Sequence, residues 1–266
     1  MFLVSEQVRR IVLPVLTFLL MLTLWQVATT FRWISPLSLP APARIFQVGV
    51  GRFDVLLTHI LMTIYETLST FLLTSLGGIL VGALLMQCRA FRLSTYPTIV
   101  MFQLLPKIAL APLFVVWFGV NIVSRLTFAG FIAFFPIVIA TLTGLRSTDP
   151  LMLKLCRSVK ATPAQIFWHV RIPYAVPFIM SGLKVGMTLS ITGVIIAEFI
   201  TVQSGLGYIV LLASYNFQIA LMYAALILIG LVGLLLYGLV LVLERIVLRI
   251  LGVPITATFA APGEAA

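Results

Sequence analysis

Acidic residues are scarce in this chain: seven Asp and Glu stand among 266 residues, and charged residues of either sign make up only 9%. Soluble domains carry roughly 25%. With 62% hydrophobic residues and a mean hydropathy of +1.20, the chain reads as an integral membrane protein. Alternating ten-residue segments are also missing, which argues against a barrel and for helices. Two cysteines, Cys88 and Cys156, offer no disulfide framework, and the two histidines, His59 and His169, lie far apart without Cys or acid at ligand spacing. No metal site is expected. No Walker lysine, His-Glu-x-x-His or Gly-x-Ser-x-Gly occurs, so no catalytic residue is expected and the chain should not hydrolyse ATP itself. The net charge of +10 does not imply nucleic acid, because the basic residues flank apolar spans, as topology-determining residues do.

What is present is a series of apolar runs. Ile11–Phe31 is about one bilayer long and lacks a clear small-residue cleavage site, so it is expected to be a first span, not a signal peptide. Residues 34–46 carry three prolines and read as an extended external loop. A short amphipathic segment over Arg44–Leu57 is expected along the outer surface. Ile60–Met86 is the second span; Gly78 and Gly82 give it a small-xxx-small face. Cys88–Thr95 returns the chain inside. Tyr96–Val120 is the third span, interrupted at Pro106-Lys107 and Pro112, with residues 119–125 as an outer turn. Leu126–Leu145 and Tyr174–Phe199 are the fourth and fifth. From Phe199 to Leu243 no charge occurs, about twice a bilayer crossing; a short outer or re-entrant helix over 206–214 and a sixth span over 218–243 fit it. Both termini inside gives eleven basic residues on the inner face against four outside, Arg32, Arg44, Arg52 and Arg125. That asymmetry supports the orientation, although five spans also remain compatible with the ambiguous last break.

Residues 144–173 are the one long polar interruption. Arg146, Lys154, Arg157, Lys160 and Arg171 face a single acid, Asp149. Asp149-Pro150 offers a helix cap followed by proline at the first helical position. Thr162-Pro163-Ala164-Gln165 repeats the device with a capping box. Two short helices joined near Lys160-Ala161, on one aqueous face, have the shape of a docking element.

This stretch resembles the EAA motif of ABC importer permeases, Glu-Ala-Ala, three residues, Gly, nine or ten residues, then Ile-x-Leu-Pro. The match runs from Lys154-Leu155-Cys156 through Lys160-Ala161 and Gln165-Ile166-Phe167 to Val170-Arg171-Ile172-Pro173. Two positions depart from it: Lys154 stands where Glu is usual and Lys160 where Gly is usual. Ser35–Pro42, Pro106–Leu113 with Trp117-Phe118-Gly119, and Ala197-Glu198-Phe199-Ile200 with Gly205-Leu206-Gly207 resemble the nitrate, sulfonate and taurine branch. The resemblance implies a type I permease fold: an all-α integral membrane protein of about six transmembrane helices with a cytoplasmic coupling-helix pair. Residues 1–10 would be a cytoplasmic N-terminus, 11–249 a single transmembrane domain with its coupling segment at 144–173, and 250–266 a cytoplasmic, disordered tail.

The resemblance also implies partners. These are a second permease subunit in a homodimer, two cytoplasmic ATPases that bind ATP and Mg, and a periplasmic or lipid-anchored solute-binding protein, all at a bacterial inner membrane. The chain itself would bind no cofactor. Lys154, Arg157, Ser158, Lys160, Ala161, Thr162, Gln165 and Phe167 are the expected ATPase-coupling residues. In the family the Gly forms the turn between the coupling helices. A left-handed lysine there would cost about 1 kcal/mol, so the turn is expected either to avoid positive φ or to let the first helix run into Ala161. Glu66, Lys107, Lys184 and Glu198 carry charge inside spans. A charge facing lipid costs roughly 2.5–3.5 kcal/mol on insertion scales, so each should face protein or a translocation path; pairing between helices is the structural alternative. The rival class is an ion-coupled secondary transporter or a membrane-embedded enzyme, but no convincing internal repeat of the kind many such transporters carry is found.

Overall fold

A computed structural model describes residues 6–35 and 37–251, with side chains from residue 12 onward. The described residues begin with helix α1 (Glu6–Thr30), which reaches five residues before the expected start of the first span. Arg32, at φ 57°, terminates it: Trp33 N–H donates to the Ala28 carbonyl at 3.0 Å, closing the last turn. The proline-rich loop then enters α2 (Pro42–Gly51), with proline in its first turn. The chain turns at Arg52 into α3 (Phe53–Gln87), so the amphipathic segment is shorter than expected and its last residues belong to the second span.

Helix α4 (Arg89–Leu104) starts directly after Cys88, where a return loop was expected. It breaks at Leu105-Pro106, passes through a 3₁₀ turn, Lys107–Leu110, and resumes as α5 (Ala111–Phe118) at 93°. Pro106 causes the break: its ring and missing N–H oppose a continued helix, and it holds Leu105 extended at ψ 142°. Asn121 caps α6 (Ile122–Arg146), its side-chain oxygen accepting from Val123 and Ser124 N–H. The polar segment contains α7 (Pro150–Ser158) and α8 (Pro163–Ile166). A π-helical turn, Phe167–Arg171, joins α8 to α9 (Ile172–Thr201) without interruption. The second short helix is therefore the first turn of a 39-residue element, Pro163–Thr201. Pro173, at the start of α9, lacks the N–H that would bond back one turn, which suits the wide turn preceding it. Helices α10 (Leu206–Tyr215) and α11 (Ile219–Ile250) complete the chain, α11 running seven residues beyond the expected sixth span. The rest of the tail lies outside the described residues.

Among the described residues, five helices are long and apolar enough to cross a membrane, and the bent α4–α5 pair, counted as one broken span, makes six. In α6, 67% of the apolar window is buried within the chain, against 6% for α1. Helix α6 is thus the centre, held between α3 and α9, while α1 is peripheral. Small residues permit the close approach. A Cβ on Gly82 of α3 would lie 2.7 Å from Thr141 Cβ, and one on Gly193 of α9 would lie 2.7 Å from Ala129 Cα. The Gly78/Gly82 face expected from the sequence is the surface on which α3 meets α6.

Candidate functional site

In the polar segment, Asp149 Oδ1 accepts from Leu151 N–H at 2.8 Å, starting α7. The turn that follows takes neither expected form. Lys160 sits at φ 57°, Ala161 N–H reaches the Cys156 carbonyl at 3.0 Å, and Lys160 N–H reaches that of Arg157 at 3.0 Å. This is a Schellman closure with lysine in the place glycine favours. Two closing hydrogen bonds, followed at once by the next cap, hold the left-handed residue. Lys160→Gly should therefore raise the stability of the isolated protein by about 1 kcal/mol, read as a higher midpoint of thermal unfolding in detergent; no gain would mean the lysine side chain itself contributes.

The second cap forms as the sequence predicts. Gln165 N–H donates to Thr162 Oγ1 at 3.3 Å, and Thr162 N–H donates to Gln165 Oε1 at 2.8 Å. Leu151, Lys154, Leu155 and Ser158 share the exposed side of α7, with Arg157 at its flank. Ser158 donates to the Leu155 carbonyl. Across the turn, Phe167 and Trp168 meet edge to face at 5.6 Å; Phe167 is half-buried, while Trp168 is 65% exposed. A cavity of about 690 Å³ lies here, lined by Gln87, Arg157, Ala161, Ala164, Phe167 and Arg171 among others.

The four charges inside spans have distinct surroundings. Glu66 and Glu198 are fully buried. Glu66 Oε1 lies 2.9 Å from Arg125 Nη2. Arg125, expected in an outer turn, is instead buried in the first turn of α6, where its Nη1 also donates to Ser204 Oγ at 3.0 Å. The pairing accounts for this: burial of one charge is tolerable only beside its counter-charge. The outer face is left with Arg32, Arg44 and Arg52 of the four basic residues assigned to it. Lys184 bridges both oxygens of Glu244 at 2.8 and 3.0 Å, linking α9 to α11. Lys107, at the α4–α5 elbow, has a different setting. Its ammonium is 3.4 Å from the Ile132 carbonyl and 5.7 Å from the Phe135 ring centre, and no carboxylate among the described residues pairs with it.

Glu198 organises the start of α10. Its carboxylate accepts from Thr63 Oγ1 and from Gly207 N–H, both at 2.7 Å. Thr63 in turn accepts from Leu206 N–H at 2.9 Å, and His59 Nδ1 from Gly205 N–H at 3.1 Å. Three successive N–H groups at a helix start are thus capped from α3 and α9, not by the local sequence. Val202, left-handed at φ 49°, and Gly205, at φ 97°, turn the chain into this position. Neither His59 nor Thr63 was a candidate on sequence grounds. Thr63, Glu66, Thr67, Thr70 and Thr74, a polar stripe at helical spacing in an apolar span, are the signal that points to that face.

A multi-pass helical bundle, built on a bent span, with a doubly capped polar segment feeding its longest membrane helix, defines the class: a transporter membrane subunit. Residues 74–249 match the family model described as "Binding-protein-dependent transport system inner membrane component". The chain belongs to that family, as a permease subunit of the ABC importers in the taurine and sulfonate branch. It is 30% identical over 228 residues to a probable ABC transporter permease of Haemophilus influenzae, covering 86% of this chain and 93% of that one. It is 30% identical over 237 residues to the formylaminopyrimidine transport permease ThiX of Halalkalibacterium halodurans, with 88% and 94% covered. Identity to the taurine permease TauC of Escherichia coli is 29% over 209 residues, 76% of each chain. Among solved structures, a chain of the inward-facing MetNI methionine ABC transporter superposes with TM-score 0.63 at 18% identity, covering 76% of this chain and 98% of that one, which supports the fold. The family places the chain in the inner membrane as a multi-pass protein whose relatives are not themselves catalytic, and it disfavours the secondary-transporter and membrane-enzyme alternatives.

Proposed function

We propose that this permease forms the translocation path of an ATP-driven importer and takes its power stroke through residues 150–171. The observation that carries this reading is the continuity of Pro163–Thr201: a displacement of α8 is transmitted to the fifth span through one helical element. Lys154, Arg157, Ser158, Lys160, Ala161, Thr162, Gln165 and Phe167 are the residues assigned to ATPase contact or to holding the contacting turn. The exposed Leu151/Leu155 face of α7 and the cavity beside Phe167 support the assignment. Closure of two ATPases around ATP and Mg would draw two such segments together and rotate the attached spans, opening the path to a loaded binding protein. The chain works as a homodimer with its inner face, carrying 144–173 and both termini, in the cytoplasm. ATP and Mg belong to the partner; this chain holds no cofactor.

Among the in-span charges, Lys107 is the residue assigned to the path, because it lies at the elbow without a counter-charge among the described residues. Glu66, Glu198 and Lys184, expected as path or gate residues, have inter-helix partners that support positioning roles. Two relatives are named for a pyrimidine and for an aminosulfonate. That chemical spread supports placing much of the cargo selection on the binding protein.

The test is co-expression with the importer's ATPase, followed by co-purification and reconstitution with the binding protein. The ATPase is expected to co-purify with wild type. Lys154→Glu/Lys160→Glu is expected to lower transport at least tenfold while leaving the permease folded, as judged by its unfolding midpoint. Failure of the ATPase to bind wild type, or full transport by the variant, would sink this reading.

A further inference from the structure

Three arginines that no step above uses converge on one cavity. Arg89 and Arg92 lie in the first turn of α4, and Arg146 ends α6. Together with Leu93, Tyr96 and Pro97 they line a space of about 440 Å³. No carboxylate among the described residues lies within ion-pair distance of any of the three. Like charges gathered on one cavity repel unless an anion sits among them. Basic residues that only set topology have no need to converge from two helices distant in sequence.

A second feature points the same way. The start of α4 has no side-chain cap and no acid in its first turn, so its leading N–H groups face the same end of the helix as Arg89 and Arg92. A helix start favours negative charge, yet here it carries two cations. An oxyanion would answer both conditions, with Tyr96 at the same cavity as a further donor.

The apolar surroundings distinguish a lipid from a dissolved ion. Leu93, Pro97, Met101 and Leu104 follow one another at helical spacing along α4 and all are exposed; Met101 is 71% and Leu104 81% accessible. They form an apolar track leading from the arginine cavity towards the bilayer interior. The cavity adjoins the polar segment, since Arg146 is one of the basic residues of 144–173 and ends α6, and so lies at a membrane–water boundary.

We infer that Arg89, Arg92 and Arg146 form a binding site for the phosphate headgroup of an anionic phospholipid, whose acyl chain runs along Leu93–Leu104 of α4. The basis is basic headgroup recognition beside a membrane helix. The site fixes the elbowed helix α4 to the end of α6 through a lipid.

The experiment uses the full chain in nanodiscs holding equal phosphatidylglycerol and phosphatidylcholine, followed by detergent extraction and quantification of retained lipid by mass spectrometry. Wild type is expected to retain phosphatidylglycerol over phosphatidylcholine. Each arginine near an anionic surface contributes about 1 kcal/mol, or about fivefold, so Arg92→Gln/Arg146→Gln should lower that preference by about 25-fold. Arg245→Gln/Arg249→Gln, exposed and outside the cavity, should leave it unchanged. Equal retention of both lipids by wild type, or an equal loss in the two variants, would overturn the site. A second arm adds inorganic phosphate to lipid-depleted protein. If phosphate alone raises the unfolding midpoint as much as phosphatidylglycerol does, and only with the three arginines intact, the lipid assignment is overturned in favour of a soluble anion.

Discussion

Arg125→Met should destabilise the purified permease by about 3–5 kcal/mol, the range expected when one partner of a buried ion pair is removed. The size follows from the surroundings of the carboxylate left behind. Glu66 is fully buried on α3 and lies 2.9 Å from Arg125 Nη2. Their contact is ionic more than hydrogen-bonded: neither Glu66 oxygen has a well-aligned donor, and Arg125 Nε has no acceptor. Without Arg125, Glu66 must take up a proton, admit water or disrupt the packing of α3 on α6. Glu66→Leu in the same background removes the stranded charge, and the double variant should recover most of the loss. About 1 kcal/mol should persist from the hydrogen bonds Arg125 makes to Ser204. Chemical unfolding of wild type, both single variants and the double variant gives the coupling energy. If the double variant is no better than Arg125→Met, shape at this position outweighs charge.

The same arginine marks how far the sequence could be read. Spans, caps and the small-residue face of α3 were legible because each is a local pattern: twenty or so apolar residues, Asp149-Pro150, Thr162 with Gln165, Gly78 with Gly82. Arg125 was read as an outer-turn charge because its local context, after Gly119 and Asn121, is that of a turn. What buries it is Glu66, on another helix, and no periodicity encodes that meeting. The Lys184–Glu244 bridge was hidden for the same reason. The elbow after Leu104 was legible as a break at Pro106 but not as a 93° bend, since proline ends a helix without specifying where the chain goes next. At Lys160, propensity argued against positive φ, yet the two capping bonds and the Thr162 box prevailed over a preference of about 1 kcal/mol. The polar segment read as two short helices, from its two caps, ahead of a separate fifth span starting at Tyr174. The wide turn at Phe167–Arg171 instead carries the second helix straight into that span. Of the proposed site, the residues assigned to coupling were nameable from a contiguous motif. The Thr63–His59–Glu198 capping of α10 was not, because its parts come from α3 and α9, with Thr63 and Glu198 135 residues apart.

That capping gives the other large effect. Gly205→Ala should cost about 2–6 kcal/mol and reduce transport in proportion to the folded protein lost. Two contributions make it up. Gly205 sits at φ 97°, ψ 173°, a region essentially limited to glycine, where another residue costs about 1–3 kcal/mol. In addition, an alanine Cβ there would fall on the Glu198 carboxylate. The side chain would have to leave Thr63 Oγ1 and Gly207 N–H, and each hydrogen bond lost costs about 0.5–1.5 kcal/mol. Gly119 allows the two contributions to be separated. It has nearly the same backbone, φ 79° and ψ 174°, but a Cβ there would meet only Asn121 Nδ2 at 3.4 Å. Gly119→Ala should therefore show the backbone cost alone. Introducing Gly205→Ala into a Glu198→Ala background, where the overlap is gone, should bring its additional cost down towards the Gly119→Ala value. Unfolding midpoints for these variants decide the matter. If Gly205→Ala and Gly119→Ala cost the same in the wild-type background, the Glu198 carboxylate is free to move, and its bonds to Thr63 and Gly207 do not hold the start of α10 in place.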